Sequence, residues 1–134
     1  MPNLRKVLID LIADQSVDLF YVGNNGAFDR MVHFVLRELV QEYPQIHYVI
    51  VLERMSGVQN EIAAHTMLPE GIEEVPPRFA ITWRNKWMLR KSNYVVTYIT
   101  HTWGGAAQFA EIAARQNKIV INLAEYDSAE GCIE

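Results

Sequence analysis

The stretch LFYVGNNGAFD (residues 19–29) decides the fold, because an apolar strand ends in glycine and a helix follows at once. A second stretch, YVVTYITHTWGGAAQFAE (residues 94–111), repeats this order of strand, glycine and helix. Such a turn directs backbone N–H groups and the positive end of a helix dipole into one crevice. Two such turns at the carboxyl edge of one parallel sheet predict a site for a phosphate or a nucleotide. Each turn also has a simpler explanation, since glycine lets a chain reverse direction.

Outward from these stretches, helical and strand patterns alternate. The helical period indicates helices from Leu4 to Ile12, over residues 28–43 and over residues 105–116. Thr82 is the predicted N-cap of a further helix that runs to Lys91. Strands are predicted at residues 19–23, 46–52, 94–100 and 118–123. This alternation predicts an α/β fold, with one parallel sheet between helices and a single domain over residues 1–134.

Residues 53–80 have no clear period, and prolines and glycines such as Pro69, Gly71 and Pro76 mark turns. A connection of this length without its own structure usually covers a site or is partly mobile. A surface loop with one short helix near Glu61 is an equally good interpretation. An acidic tail follows the last predicted strand.

Composition restricts the class of function. The net charge of −4 and the pI of about 5.5 argue against nucleic-acid binding. The one cysteine, Cys132, cannot form an internal disulfide, and the scattered histidines suggest neither a metal site nor a cofactor. No apolar stretch reaches membrane-spanning length and no signal pattern is present, so we expect a cytoplasmic protein without a membrane partner.

The first glycine turn supplies candidate ligand-binding residues, namely Gly23, Asn24, Asn25, Gly26 and Asp29. Asparagine and glycine tolerate left-handed backbone, so this loop can fold tightly around an anion. Asp29 has an alternative role as an ordinary acidic residue at the start of a helix.

The second turn and the helix before it supply the other candidates. Around the turn lie His101, Trp103, Gly104, Gly105, Ala106 and Glu111. An acid such as Glu111 beside a glycine turn could bind ribose hydroxyls or act as a general acid or base. Trp103 could stack on a base or cover the core. Arg84 and Asn85 could reach a ligand, but polar residues between Trp83 and Trp87 are also typical of a solvated helix face.

Several motifs together resemble the SLOG superfamily of small bacterial proteins. They are FYVGNNGAFD (residues 20–29), PEG (69–71), VPPRFAI (75–81), WRNKWM (83–88) and SNYVV (92–96). The superfamily is Rossmann-like and includes the LOG-type "lysine decarboxylase" proteins, which are cytokinin-activating phosphoribohydrolases, and the DNA-processing protein DprA. The resemblance implies a Rossmann-like parallel sheet that binds a nucleotide or a nucleotide-derived ligand, with sensing rather than catalysis as the expected use.

The LOG-type enzymes carry an Arg-Lys-x-x-Met segment and, after a strand, Pro-Gly-Gly-x-Gly-Thr-x-x-Glu. Arg84 with Met88 matches the first motif in spacing, and Gly104, Gly105 and Glu111 match the second. The resemblance therefore implies Arg84 and Glu111 as catalytic residues of a nucleoside 5′-monophosphate phosphoribohydrolase. Trp103, Ala107 and Gln108 depart from the motif, and three extra residues precede the glycines. These departures remove a close backbone approach and a hydroxyl donor. Single-strand DNA binding, as in DprA, disagrees with the acidic composition.

Members of this group begin with a strand that precedes the first helix. Here the chain starts at Met1-Pro2-Asn3-Leu4, already within that helix. The resemblance thus implies that a central strand is lacking: Met1 is an internal start, the chain is shortened, or a neighbouring chain fills the gap. We expect a homo-oligomer that covers apolar surface, or strands that close up over the gap.

Overall fold

The computed structural model describes residues 2–54, 65–100 and 102–125. Its helices are α1 (Pro2–Asp14), α2 (Ala27–Glu42), α3 (Ala80–Lys91) and α4 (Gly105–Arg115). Its strands are β1 (Leu19–Val22), β2 (His47–Val51), β3 (Thr66–Met67), β4 (Tyr94–Thr97) and β5 (Ile119–Asn122). The predicted alternation of helices and parallel strands is confirmed in this part of the chain.

The strands form two small sheets, so the prediction of one continuous sheet is wrong. β1, β2 and β3 pair in that order, and β4 pairs with β5; all pairings are parallel. Among the strands of residues 2–54, 65–100 and 102–125, β1 pairs with β2 at one edge and β4 pairs with β5 at one edge. A cleft separates β1 from β4 and is lined by every residue of both strands. The strands have therefore not closed up, because their other edges lie across this cleft without pairing.

The main core lies between α1, α2 and the first sheet. Leu4 and Leu8 of α1, together with Leu36 and Leu39 of α2, are almost completely buried. They recur at the spacing that places side chains on one helical face, which is why the sequence period identified both helices. α1 and α2 also contact one another, and α3 contacts α4.

Helix α3 begins before the predicted N-cap. Its first residue is Ala80, so Thr82 lies inside the first turn and the N-cap prediction is wrong. A short 3-10 helix, Pro77–Phe79, leads directly into α3. Because Pro77 fixes its own φ at a helical value, the helical backbone is already set before Thr82 is reached.

The second sheet ends earlier than the strand pattern predicts. β4 stops at Thr97, three residues short of the predicted end at residue 100. The Asn122 side chain accepts a hydrogen bond from the Ile99 N–H at 2.9 Å and donates one to the Ile99 carbonyl at 3.0 Å. A side chain thus replaces the backbone partner that a longer strand would need.

Residues 65–80, which belong to the stretch without a clear sequence period, contain regular secondary structure. β3 pairs with β2, and a 3-10 helix, Ile72–Glu74, buries Ile72. The helix predicted near Glu61, Cys132 and the acidic tail beyond residue 125 lie outside the described residues. Within the described ranges, every helix is too short or too polar to cross a membrane.

Candidate functional site

The cleft between β1 and β4 has a volume of about 910 Å³ and receives side chains from all four helices. Both glycine turns contribute to its lining, Gly23 and Asn25 from the first and Gly105 and Ala106 from the second. Gly23 follows β1 directly, so the first turn lies at the carboxyl end of that strand. We use the name polar end for the part of the cleft lining that Arg84 and the residues of the two turns provide.

Arg84 is the central side chain of the polar end and is only 2% exposed. Its Nε donates to Asn85 Oδ1 at 2.9 Å, and its Nη2 donates to Asn25 Oδ1 at 2.7 Å. Its Nη1 donates to Asn24 Oδ1 and to the Val51 carbonyl, both at 2.9 Å. The interpretation of Arg84 as part of a solvated helix face is therefore wrong. The guanidinium instead ties the first glycine turn to the end of β2.

Two carboxylates surround this guanidinium. Glu53 Oε2 lies 3.8 Å from Arg84 Nη1 and accepts no hydrogen bond from the described residues. Asp29 Oδ2 accepts the Asn25 N–H at 2.8 Å. Burial raises the pKa of Asp29 above its ordinary value, while the Asn25 bond and Arg84 act in the opposite direction. The sequence reasoning missed Glu53, although an acid directly after an apolar strand was a usable signal.

Gly23 is glycine because of Arg84 and Asp29. A Cβ at this position would lie 2.8 Å from Asp29 Oδ2 and 3.2 Å from Arg84 Cζ. Arg84 is held by four hydrogen bonds, and the Asp29 oxygen accepts the Asn25 N–H, so a shift of either side chain would disturb these bonds. The first turn therefore needs this glycine for packing within the protein itself.

We expect Gly23→Ala to destabilise the protein by about 1–3 kcal/mol, because the added methyl overpacks the polar end. Gly105→Ala is the matched control, since a Cβ there meets no atom within 4 Å and its φ is not positive. Alanine favours the helix at that position, so the control should be neutral or slightly stabilising. Thermal unfolding of both variants is the measurement. Equal effects would show that contact with Arg84 and Asp29 does not restrict Gly23.

The helices that begin at the two turns share one N-terminal geometry. The N-cap of α2 is Gly26, with φ 95° and ψ 178°, and the N-cap of α4 is Gly104, with φ 98° and ψ 174°. Only glycine adopts this backbone region readily. Neither N-cap makes a side-chain capping bond. The first-turn N–H groups of both helices thus lack the side-chain acceptor that Ser, Thr, Asp or Asn would provide.

The structure brings together most, but not all, of the predicted site residues. Those that line the cleft are Gly23, Asn25, Asp29, Arg84, Asn85, Gly105 and Ala106. Asn24 is bonded to Arg84, and Gly26 and Gly104 are the helix N-caps. Trp103 is 71% exposed and does not line the cleft. Glu111 is also exposed, and its Oε1 accepts a 2.6 Å bond from Arg115 Nη2. His101 lies outside the described residues.

The polar end therefore offers hydrogen-bond donors rather than a metal-ligand set. No group of three or more His, Cys, Asp or Glu side chains with metal-binding geometry occurs within residues 2–54, 65–100 and 102–125. Arg84 donates four hydrogen bonds within the protein, one of them to Asn85 Oδ1, so the main donors for a ligand are the N–H groups at the starts of α2 and α4. Comparisons of the chain with protein-family models, curated proteins and solved structures found no match.

Proposed function

We propose that this chain is a SLOG-type domain that binds a nucleotide or a nucleotide-derived ligand in the cleft between β1 and β4. The observation that carries the proposal is the pair of glycine-capped helix starts beside one cleft. Two helix N-termini without side-chain caps favour an anion through their N–H groups and their dipoles. The phosphate would lie at the polar end, between the start of α2 and the start of α4.

The rest of the cleft supports a ligand with an apolar part. Phe28 and Val32 of α2, Met88 of α3 and Phe109 of α4 line its wall. Aromatic and aliphatic side chains with a few convergent polar groups are typical of small-molecule sites, and the cleft volume lies in the usual range. A nucleoside joined to a phosphate has this division between an apolar base and an anionic end.

Hydrolysis of an N-glycosidic bond receives less support from the geometry. This reaction requires the side chains of Arg84 and Glu111 to line the same pocket. Glu111 is instead exposed, forms an ion pair with Arg115 and does not line the cleft. Arg84 has four donated bonds within the protein, so its main contacts are structural. The proposal is therefore binding, with sensing as its biological use.

The test is titration calorimetry with adenosine 5′-monophosphate, with inorganic phosphate as a second probe. Ala106→Asp is the informative variant, because it places a negative charge in the first turn of α4, where Ala106 lines the cleft. A negative charge in the first turn stabilises a helix through its dipole, so we expect the fold to be retained. The same charge would repel a phosphate bound at this helix start. We expect the dissociation constant to rise about tenfold to a hundredfold, because the added carboxylate repels the phosphate by roughly 1.4–2.8 kcal/mol.

Gln116→Glu is the matched control, since it adds the same charge at the other end of α4, at the exposed C-cap. Its affinity should equal that of the unchanged protein. No heat from either probe at millimolar concentration, or equal weakening by both variants, would refute a phosphate site at the polar end. Native mass spectrometry of the freshly purified protein would detect a co-purified nucleotide.

A further inference from the structure

We propose that the polar end selects a singly charged phosphate, that of a nucleoside phosphodiester, and that Asp29 is the residue that makes this selection. The inference rests on the proposed function and names the class of ligand that this site takes. A terminal phosphate carries about 1.5–2 negative charges at neutral pH, whereas a phosphodiester carries about one. The charges that the protein already holds beside the site therefore determine which of the two fits.

Asp29 brings a negative charge into the lining of the cleft. It lies in the first turn of α2, where it is partly buried. Its Oδ2 accepts the Asn25 N–H at 2.8 Å, so the protein's own carboxylate already uses a backbone donor of the first turn. Burial raises the pKa of Asp29, but the Asn25 bond and Arg84 oppose this effect, so we expect an ionised carboxylate at neutral pH.

The positive charge that faces Asp29 is shared with a second carboxylate. Glu53 Oε2 lies 3.8 Å from Arg84 Nη1, and the Glu53 side chain is only 11% exposed. Two carboxylates and one guanidinium of the described residues therefore meet here, and they already leave an excess of negative charge. A second charge on the ligand would increase this excess, in surroundings where burial weakens screening. The other charged residues of the cleft lining are exposed to solvent, which screens them: Asp18, Lys86 and Lys91.

The two helix starts differ in charge although their backbone geometry is the same. The first turn of α2 contains Asp29, whereas the first turn of α4 contains no acidic residue. The charged oxygens of a phosphate are therefore favoured at the start of α4 and disfavoured beside Asp29. A phosphodiester meets both conditions, because an uncharged ester oxygen can face the carboxylate while the charged oxygens face α4. In a terminal phosphate the corresponding oxygen is itself charged, so the carboxylate repels it.

The test compares adenosine 5′-monophosphate with the methyl ester of its phosphate, which has the same nucleoside and one charge fewer. Titration calorimetry at about pH 7.5 keeps the monoester almost fully dianionic, because the second pKa of a phosphate monoester is about 6. We expect the unchanged protein to bind the methyl ester about tenfold more tightly, since removing one repelled charge at a partly screened site is worth about one decade in affinity.

Asp29→Asn is the informative variant, because the amide keeps the shape of the side chain and its oxygen can still accept the Asn25 N–H. Without the negative charge, the preference for the methyl ester should fall to about threefold or less. Asp14→Asn is the matched control, since Asp14 is exposed and lies outside the cleft lining. It changes the net charge of the protein equally and should keep the full preference.

Equal or tighter binding of the monoester by the unchanged protein overturns the proposal, and this comparison needs no variant. An equal preference in the unchanged protein and in Asp29→Asn also overturns it. Both results leave the nucleotide site itself standing. If neither probe binds at millimolar concentration, the phosphate site is refuted and this inference is refuted with it.

Two further probes distinguish the sources of a phosphodiester. Adenosine 3′,5′-cyclic monophosphate contains a cyclic diester, and adenylyl-3′,5′-adenosine contains a linear one. Tighter binding of either probe than of adenosine 5′-monophosphate supports the proposal and identifies the source. Weaker binding of both would overturn a phosphodiester as the ligand class of this site.

Discussion

Arg84→Met should lower the free energy of unfolding by about 3–5 kcal/mol, the usual cost of removing one partner from a buried charged network. The substitution keeps an apolar stem of similar length but removes every donor of the guanidinium. Asn24, Asn25 and the Val51 carbonyl would lose their partner, and Glu53 would stay largely buried beside no positive charge. Urea unfolding at neutral pH measures the change.

Arg90→Met is the control, because Arg90 is exposed on the same helix. Its effect should stay within about 0.5 kcal/mol. Arg84→Lys adds a second comparison, since an ammonium keeps the charge but lacks the planar fork that reaches several acceptors at once. Arg84→Lys should therefore lose most of the free energy of unfolding that Arg84→Met loses. A loss below about 1 kcal/mol for Arg84→Met, typical of an exposed ion pair, would contradict the structural role of Arg84.

Leu39→Ala should cost about 2–5 kcal/mol, because Leu39 is completely buried between α2 and the first sheet. Leu39 does not line the cleft, so the cavity left by the lost side chain stays closed to solvent. The cost therefore includes both the lost transfer free energy and the cavity itself. The midpoint of urea unfolding, at an unchanged slope, is the measurement.

Phe34→Ala on the same helix is the comparison, since Phe34 is 63% exposed. Removing that larger side chain should change stability by no more than about 0.5 kcal/mol. A similar loss in both variants would mean that the buried face of α2 is assigned incorrectly.

Local periodicity was sufficient to locate most helices and strands. Leu36 and Leu39 belong to a spacing that depends only on neighbours along the chain, so α2 was predictable. The separation of the two sheets was not predictable, because the pairing of β1 with β4 depends on contacts between segments that are far apart in the sequence. The early end of β4 depends on one side chain, Asn122, that is remote in sequence.

The two glycine turns of the candidate site could be predicted from the sequence, but the hydrogen bonds of Arg84 could not. Glycine after a strand is a local signal, and residues from both turns do line one cleft. The polar run around Arg84 looked solvated because its acceptors, Asn24, Asn25 and the Val51 carbonyl, are far away in the sequence. The SLOG resemblance and homo-oligomer formation stay predictions.

The bonds from Arg84 to the first turn have a consequence for how a ligand is received. Asn24 and Asn25 are already fixed without one, so the conformational entropy of ordering this loop is lost during folding. A ligand at the proposed site would then bind to a preorganised loop, so its binding free energy would be reduced little by the entropy cost of ordering that loop. If the proposed site binds its ligand, folding and recognition depend on the same side chain. Substitutions of Arg84 would therefore be selected against because they destabilise the fold, even in a descendant protein that no longer binds a ligand.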